Sequence, residues 1–281
     1  MNPKTLKTFS VIIMTSMALV LFPLSSKGYA IEVWVCNPWF SMLARFLGGA
    51  QTKVNPLLVW AENSVVKPGR SGLTEGSVVL AVNNDEAVRV LGKKNLKRYS
   101  LHFLFESFLT SGGRVDENFM DPAALPFIGL RTLEILSAAD PGNYDYFQRR
   151  LAEFQARLDS TVVVGRNMIG DSTILDLSWI YGRWIQAAAG KVIRPPDLVK
   201  AGWSQGADLD VLDTALEEAR KQNWLIVVDP WTPAHIREMS NKIPGFIELP
   251  APRMEGDMIL FLYDLYLQIW DYTRKNITIH Q

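Results

Sequence analysis

Short apolar runs alternate along the chain with amphipathic stretches, and turn residues punctuate them. Glu32–Cys36 reads as a strand and Pro38–Leu47 as a helix that stops at Gly48-Gly49. Pro56–Trp60 and Ser77–Val82 read as further strands, the latter bounded by Asn83-Asn84. Asp85–Leu91 has the acidic start and following glycine of a short helix. In the second half, Thr161–Gly165 reads as a strand, Ile174–Ala189 as a helix closed by Gly190, and Leu209–Lys221 as a helix. Trp224–Val228 and Phe246–Leu249 read as strands, and Met258–Arg274 as a strongly apolar helix. Thr232-Pro233 reads as an N-cap with proline at the first helical position. Strands alternating with helices predict mainly parallel sheets.

Between the halves, Tyr144, Phe147, Leu151, Phe154 and Leu158 recur at spacings of three and four. That pattern predicts one uninterrupted helix over Asn143–Ser160, about 27 Å long at 1.5 Å per residue. The expected fold class is therefore α/β, with two lobes, each a mainly parallel sheet flanked by helices, joined by one long backbone helix. The expected division is a signal segment 1–30, an N-terminal lobe 31–142, the backbone helix 143–160 and a C-terminal lobe 161–281. Ligands in such sheets bind beyond the carboxyl ends of the strands. The candidate ligand-binding residues are therefore those just after predicted strands: Trp39, Trp60, Asn63, Arg166, Asn167, Asp229 and Trp231.

The first 30 residues have a different pattern. Lys4 and Lys7 precede an uncharged, mostly apolar run from Phe9 to Phe22, and Pro23, Ser25, Ser26 and Gly28 break it. Gly28 and Ala30 supply the small residues a signal peptidase reads, so cleavage is expected after Ala30. The run falls short of the roughly 20 apolar residues that span a bilayer. The body is expected in the periplasm, with no membrane insertion after cleavage. Cys36 is too far into the processed chain for lipid attachment.

The whole chain carries 29 basic and 29 acidic residues. Loss of Lys4, Lys7 and Lys27 leaves 26 against 29, a formal charge of −3 on 251 residues. Nothing in that balance favours nucleic acid or anionic lipid as a partner. Cys36 is the only cysteine, so no intrachain disulfide forms, and a buried small hydrophobe is its simplest role. A monomer without a cofactor is expected.

From Met120-Asp121-Pro122 to Asp140-Pro141-Gly142-Asn143-Tyr144 the chain resembles the solute-binding proteins of zinc and manganese ABC importers, the TroA-like class (cluster A-I). In that family Asp-Pro-His precedes a helix, then Asp-Pro-x-Asn, then the long backbone helix. The order of elements through Val227-Val228-Asp229 to the last helix agrees as well. The resemblance implies lobes that flex little, an ABC permease of the inner membrane as partner and a small ligand in the interlobe cleft. It also implies a metal held by three histidines and a carboxylate. Those histidine positions fall on Ala123, near Arg166 and near Asn63; the carboxylate position falls on Asp229.

Zinc and manganese sites use imidazole and carboxylate donors. The chain has only His102, His235 and His280, none after a predicted strand that faces the cleft. No family-type metal site is expected. A soft Cu(I) site from Cys36 with Met120 and Met168 is a further metal alternative, with nothing specific in the spacing. Arg166 and Asp229 either pair with each other or divide a ligand between them, the guanidinium taking a carboxylate or phosphate and the carboxylate an amine or hydroxyl. The tryptophans either stack on an organic ligand or pack as core. A retained transition-metal site for zinc, manganese or copper stays as one alternative, and a periplasmic accessory protein that docks a partner without transport as another. No Gly-x-Ser-x-Gly or His-Glu-x-x-His is present, so an enzyme is not expected.

Overall fold

A computed structural model describes residues 30–61, 66–69, 72–105 and 115–279. The expected signal segment before Ala30, together with Asn63 and His280, lies outside the described residues.

The N-terminal lobe carries β1 (Ile31–Val35), α1 (Pro38–Gly48), β2 (Thr52–Pro56), a hairpin of β3 (Leu58–Trp60) and β4 (Val66–Pro68), β5 (Val78–Ala81), α2 (Asn84–Leu91), β6 (Ser100–Phe103), α3 (Val115–Asn118) and α4 (Leu125–Ala139). Helix α5 (Tyr144–Ile169) follows. The C-terminal lobe carries β7 (Thr173–Asp176), α6 (Gly182–Gln186), β8 (Lys191–Ile193), α7 (Asp197–Ser204), α8 (Leu209–Lys221), β9 (Leu225–Val228), α9 (Ala234–Ser240), β10 (Phe246–Glu248) and α10 (Met258–Ile279).

Both four-stranded sheets are parallel throughout. Their orders are β2-β1-β5-β6 and β8-β7-β9-β10, so the two lobes repeat one topology. The inner strands β5 and β9 are apolar on both faces because both faces are covered. Val33 and Val35 of β1 face the main core, which runs through both lobes along α1, α4, α5 and α10. Trp34 and Cys36 face a smaller cluster on the outer side of the first sheet. Ile226 and Val228 of β9 likewise face an outer cluster with Trp203, Leu212, Leu216 and Ile236.

Several expectations change. Thr161–Gly165 is not a strand but the continuation of α5, which spans 26 residues, about 39 Å at 1.5 Å per residue. The β-branched run reads as a strand by composition. Yet its buried positions, Thr161, Gly165 and Ile169, extend the stripe Phe147, Leu151, Phe154, Leu158 at the helical period. The Thr161 hydroxyl donates to the Arg157 carbonyl one turn back, as threonine does within a helix. Ile174–Ala189 is not one helix: Thr173–Asp176 is the first strand of the second lobe, and only Gly182–Gln186 is helical. Pro56–Trp60 divides between β2, which pairs with β1, and β3, which pairs antiparallel with β4. At Thr232-Pro233 the proline itself is the N-cap, one residue later than expected.

Candidate functional site

In each lobe the order of strands reverses once, between β1 and β5 and between β7 and β9. Crevices form beyond the carboxyl ends at such points.

Asp229 directly follows β9 and is fully buried. One carboxylate oxygen, Oδ2, accepts from the backbone N–H groups of Trp179 (2.7 Å) and Ile180, with Tyr181 N at 3.4 Å. Oδ1 accepts from Trp231 N (3.1 Å) and Thr232 N (2.9 Å), and the Thr232 hydroxyl lies 3.0 Å away. The side chain thereby clamps the loop after β7 to the turn after β9. Burial pushes its carboxyl pKa up, and the Ile180 N–H and Thr232 hydroxyl pull against that shift. A carboxylate with both oxygens held by N–H donors has its lone pairs already spent.

Beside it, buried Asp176 accepts from Ser178 N (2.9 Å) and pairs with Arg194. Burial pulls the Arg194 guanidinium down, and the adjacent Asp176 carboxylate more than offsets that pull. The pair leaves no room for a side chain at position 182: a Cβ on Gly182 would lie 1.3 Å from Arg194 Nη1. Lys200 is buried, donates to the Ser178 carbonyl and lies 4.7 Å from the Trp179 ring centre. Burial, then the charge of Arg194, lowers its pKa. Glu117 reaches this group from the first lobe. Burial raises its pKa although Arg194, Lys200 and Arg183 all act to lower it.

Aromatic rings from both lobes meet next to Asp229. Trp39 in the first turn of α1 is 1% exposed and lies 4.6 Å from Trp60, 5.7 Å from Trp231, 6.4 Å from Tyr181 and 6.1 Å from Phe261, centre to centre. Trp60 and Trp231 are 6.4 Å apart. Such pairs add about 0.5–1.5 kcal/mol each beyond the burial of their area. The position of Trp39 is set by Asn37, which caps α1: its Oδ1 accepts from Trp39 N and Phe40 N. Its amide group donates to Glu86 and Asp116. At the rim, Asp121 of the Asp-Pro motif pairs with Arg183 of α6 across the lobes at 2.8 Å. With Arg183 half exposed, that pair contributes at most about 1 kcal/mol. The aromatic contact is therefore the stronger of the two links.

A cavity of about 720 Å³ opens beside Trp60, between Trp60-Ala61 and the segment 251–256 that leads from β10 to α10. Arg45 of α1 donates to the Met254 carbonyl and holds that segment against the first lobe. The volume falls in the range of about 300–1,000 Å³ typical of small-molecule sites.

Of the sequence-predicted residues, Trp39, Trp60, Asp229 and Trp231 converge. Arg166 and Asn167 do not join them. Both are exposed in the last turns of α5, and Arg166 Nε donates to the Ala187 carbonyl. They are not at a strand end, because the residues after the first strand of the second lobe are Leu177, Ser178 and Trp179. The Arg166–Asp229 pair does not form; the Asp229 oxygens are held by the donors named above. Sequence reasoning missed Tyr181, Ser178, Lys200, Arg194 and the 251–256 segment. A correctly placed β7 would have marked Ser178 and Trp179 by the same strand-end rule. His235 contacts the Trp203 carbonyl (2.7 Å), and His102 lies on β6 with its Nε2 3.3 Å from the Ser100 hydroxyl. Burial pulls the His102 imidazole down. Among the described residues, no three His, Cys, Asp or Glu side chains converge as a metal-ion set.

No family model and no curated protein matches this sequence. Solved structures do match its fold. ZnuA superposes with a TM-score of 0.63 at 13% identity, over 86% of this chain and 98% of that one. FpvC of Pseudomonas aeruginosa, in complex with Ni²⁺, gives 0.60 at 11% identity, over 88% and 97%. A Zn(II)-bound mutant variant of AdcAII from Streptococcus pneumoniae gives 0.59 at 10%, over 86% and 99%. The fold is that of the metal-binding solute-binding proteins: two lobes with parallel sheets on one long helix.

Proposed function

We propose that this chain is an exported solute-binding protein that delivers a small organic molecule, rather than a transition metal, to an ABC permease of the inner membrane. The solute-binding role is supported by the likeness of fold to ZnuA, FpvC and AdcAII over nearly their whole lengths, and the same likeness favours a binding protein over an enzyme. Among the described residues, no helix is long and apolar enough to cross a membrane.

The single observation that carries the non-metal ligand is the state of Asp229. The one carboxylate retained at a family ligand position has both oxygens engaged by backbone N–H groups and the Thr232 hydroxyl. Of the histidine positions the resemblance implies, Ala123 has no donor, Arg166 is a cation turned to the Ala187 carbonyl, and the position near Asn63 lies outside the described residues; at the end of β7 the buried carboxylate of Asp176 is paired with Arg194. The Asp176 oxygens are also taken, by the Ser178 N–H and hydroxyl and by the Arg194 guanidinium. Trp60, with the cavity beside it, supplies what an organic ligand uses instead: an aromatic side chain beside the charged side chains of Arg253 and Glu255. Trp39 and Trp231 pack against Trp60 at 4.6 and 6.4 Å. Arg166 and Asn167 have no part in this reading.

Native mass spectrometry of the protein from its own periplasm tests it. A stoichiometric organic adduct that Trp60→Ala abolishes is the expected result. One bound zinc, manganese or copper ion per chain, lost in Asp229→Ala, would overturn it. The direct contact of Trp39 and Trp60 with Trp231 favours a second reading, a periplasmic protein that docks a partner without transport. An adduct-free spectrum and no adjacent permease gene would favour that one.

A further inference from the structure

One wall of the 720 Å³ cavity beside Trp60 is a turn. Residues 253–256 close it, the Gly256 N–H donating to the Arg253 carbonyl (2.9 Å), with glycine at the last position, where such turns favour it. Arg45 donates to the Met254 carbonyl and anchors the turn to α1. Pro252 before the turn and Met258 after it are buried, so it is held at both ends. The other wall is half-buried Trp60, packed on Trp39 at 4.6 Å. Contacts within the chain build both walls.

The charges on the turn do not cancel. Asp257, the next acid along the chain, is committed elsewhere: its carboxylate accepts from the Leu260 N–H at the start of α10 (2.9 Å) and pairs with Arg157 (3.3 Å). Glu255 lies in the field of Arg45: burial pulls the Arg45 guanidinium pKa down, and the Glu255 charge acts against that pull. Arg253 is exposed, and its guanidinium has neither an ion pair nor a hydrogen bond among the described residues. An uncompensated cation therefore stands on one wall of the cavity and a tryptophan on the other. From this arrangement we propose that the cavity takes an organic carboxylate: the Arg253 guanidinium holds the carboxylate in fork geometry, and Trp60 packs against the apolar body of the molecule. An ammonium ligand would meet repulsion from Arg253 and competition from Arg45 for Glu255. A phosphate monoester would bring nearly two negative charges to a single cation, with Glu255 on the same wall. The assignment rests on this cavity being the place where the solute binds, as proposed above, and adds the class of solute.

Calorimetric titration of the full processed chain with phenylacetate, benzylamine and phenyl phosphate, which share a phenyl ring and differ in charge, tests this. Phenylacetate should bind about tenfold more tightly than either of the others, and Arg253→Gln should weaken it by about tenfold, the loss of one charged hydrogen-bonding partner. Arg253 is exposed, so that variant should melt with the unmutated protein. Arg253→Lys, which keeps the charge and loses the fork, should fall between the two. Phenylacetate should also bind more weakly in about 1 M salt, where the Debye length is about 3 Å. Benzylamine or phenyl phosphate binding as tightly as phenylacetate would overturn the carboxylate assignment, as would phenylacetate binding that Arg253→Gln leaves unmoved. If Trp60→Ala still abolished that binding, the cavity would stand as the ligand site and only the class of ligand would fall. Binding of none of the three at millimolar concentration would overturn the assignment too, and an organic adduct lost in Trp60→Ala on native mass spectrometry would separate that failure from failure of the solute-binding reading.

Discussion

Burying a carboxylate is costly unless its oxygens are filled, and Asp229 shows how one chain offsets that cost with backbone N–H groups and one hydroxyl. Five N–H groups and a hydroxyl surround two oxygens, and the consequence is a rigid loop pair on which Tyr181 and Trp231 stand. Glu117 shifts in the same direction as Asp229. Its burial raises its pKa despite three nearby cations, so the folded protein holds it less comfortably as an anion than water would. A folded pKa above the unfolded one contributes stability that is complete below the unfolded pKa and lost as pH rises through the folded value. Glu117→Gln, a neutral mimic of the protonated acid, should therefore melt higher than the unmutated protein at neutral pH. The advantage should vanish on acidification through the ordinary carboxylate range, as scanning calorimetry at several pH values would show. An advantage that grows toward acid would contradict the assignment. At this scale Trp39, Asp229 and Trp231 were legible because β1 and β9 before them are apolar and end cleanly, whereas Trp60 was reached through Pro56–Trp60, which divides between β2 and β3. Arg166 misled because Thr161–Val164 is β-branched. Lys200, Glu117 and Arg194 lie on short segments whose pairing depends on tertiary contact, which no local pattern encodes.

At the scale of the element, α5 sets the relation of the lobes, and its close fit to α10 depends on Gly165. A Cβ there would stand 2.3 Å from the Tyr266 ring, which in turn stacks on Trp184 at 4.9 Å and donates its hydroxyl to the Trp184 carbonyl. Glycine in a helix interior costs about 1 kcal/mol against alanine, so its retention in mid-helix reflects the packing. Gly165→Ala should gain that propensity and still lose stability overall, by about 1–3 kcal/mol of overpacking strain. Val163→Ala, two residues away and 55% exposed, should stay within about 0.5 kcal/mol of the unmutated protein. Urea denaturation of both separates them, and a more stable Gly165→Ala would contradict this view of the helix contact. The stripe that reveals α5 was legible as far as Leu158. Beyond it the period continues through Thr161 and Gly165, two residues whose composition speaks for a strand and a turn. Helix period and residue preference disagreed, and packing against Tyr266 decided for the period.

For the whole molecule, alternating strands and helices on either side of one apolar stripe were enough to give two parallel-sheet lobes and a connecting helix. The repeated strand order was not legible, since it depends on crossovers rather than on local pattern. That architecture brings Trp39, Trp60 and Trp231 together edge-on and tilted, and leaves Asp229 beside them with both oxygens held by its own chain. The central claim is that this cleft lacks a transition-metal site. Equilibrium dialysis of the processed protein against micromolar zinc and, separately, manganese, followed by elemental analysis, tests it most directly. The account predicts no metal retained above an Asp229→Asn control; one zinc or manganese per chain, absent from that control, would contradict it.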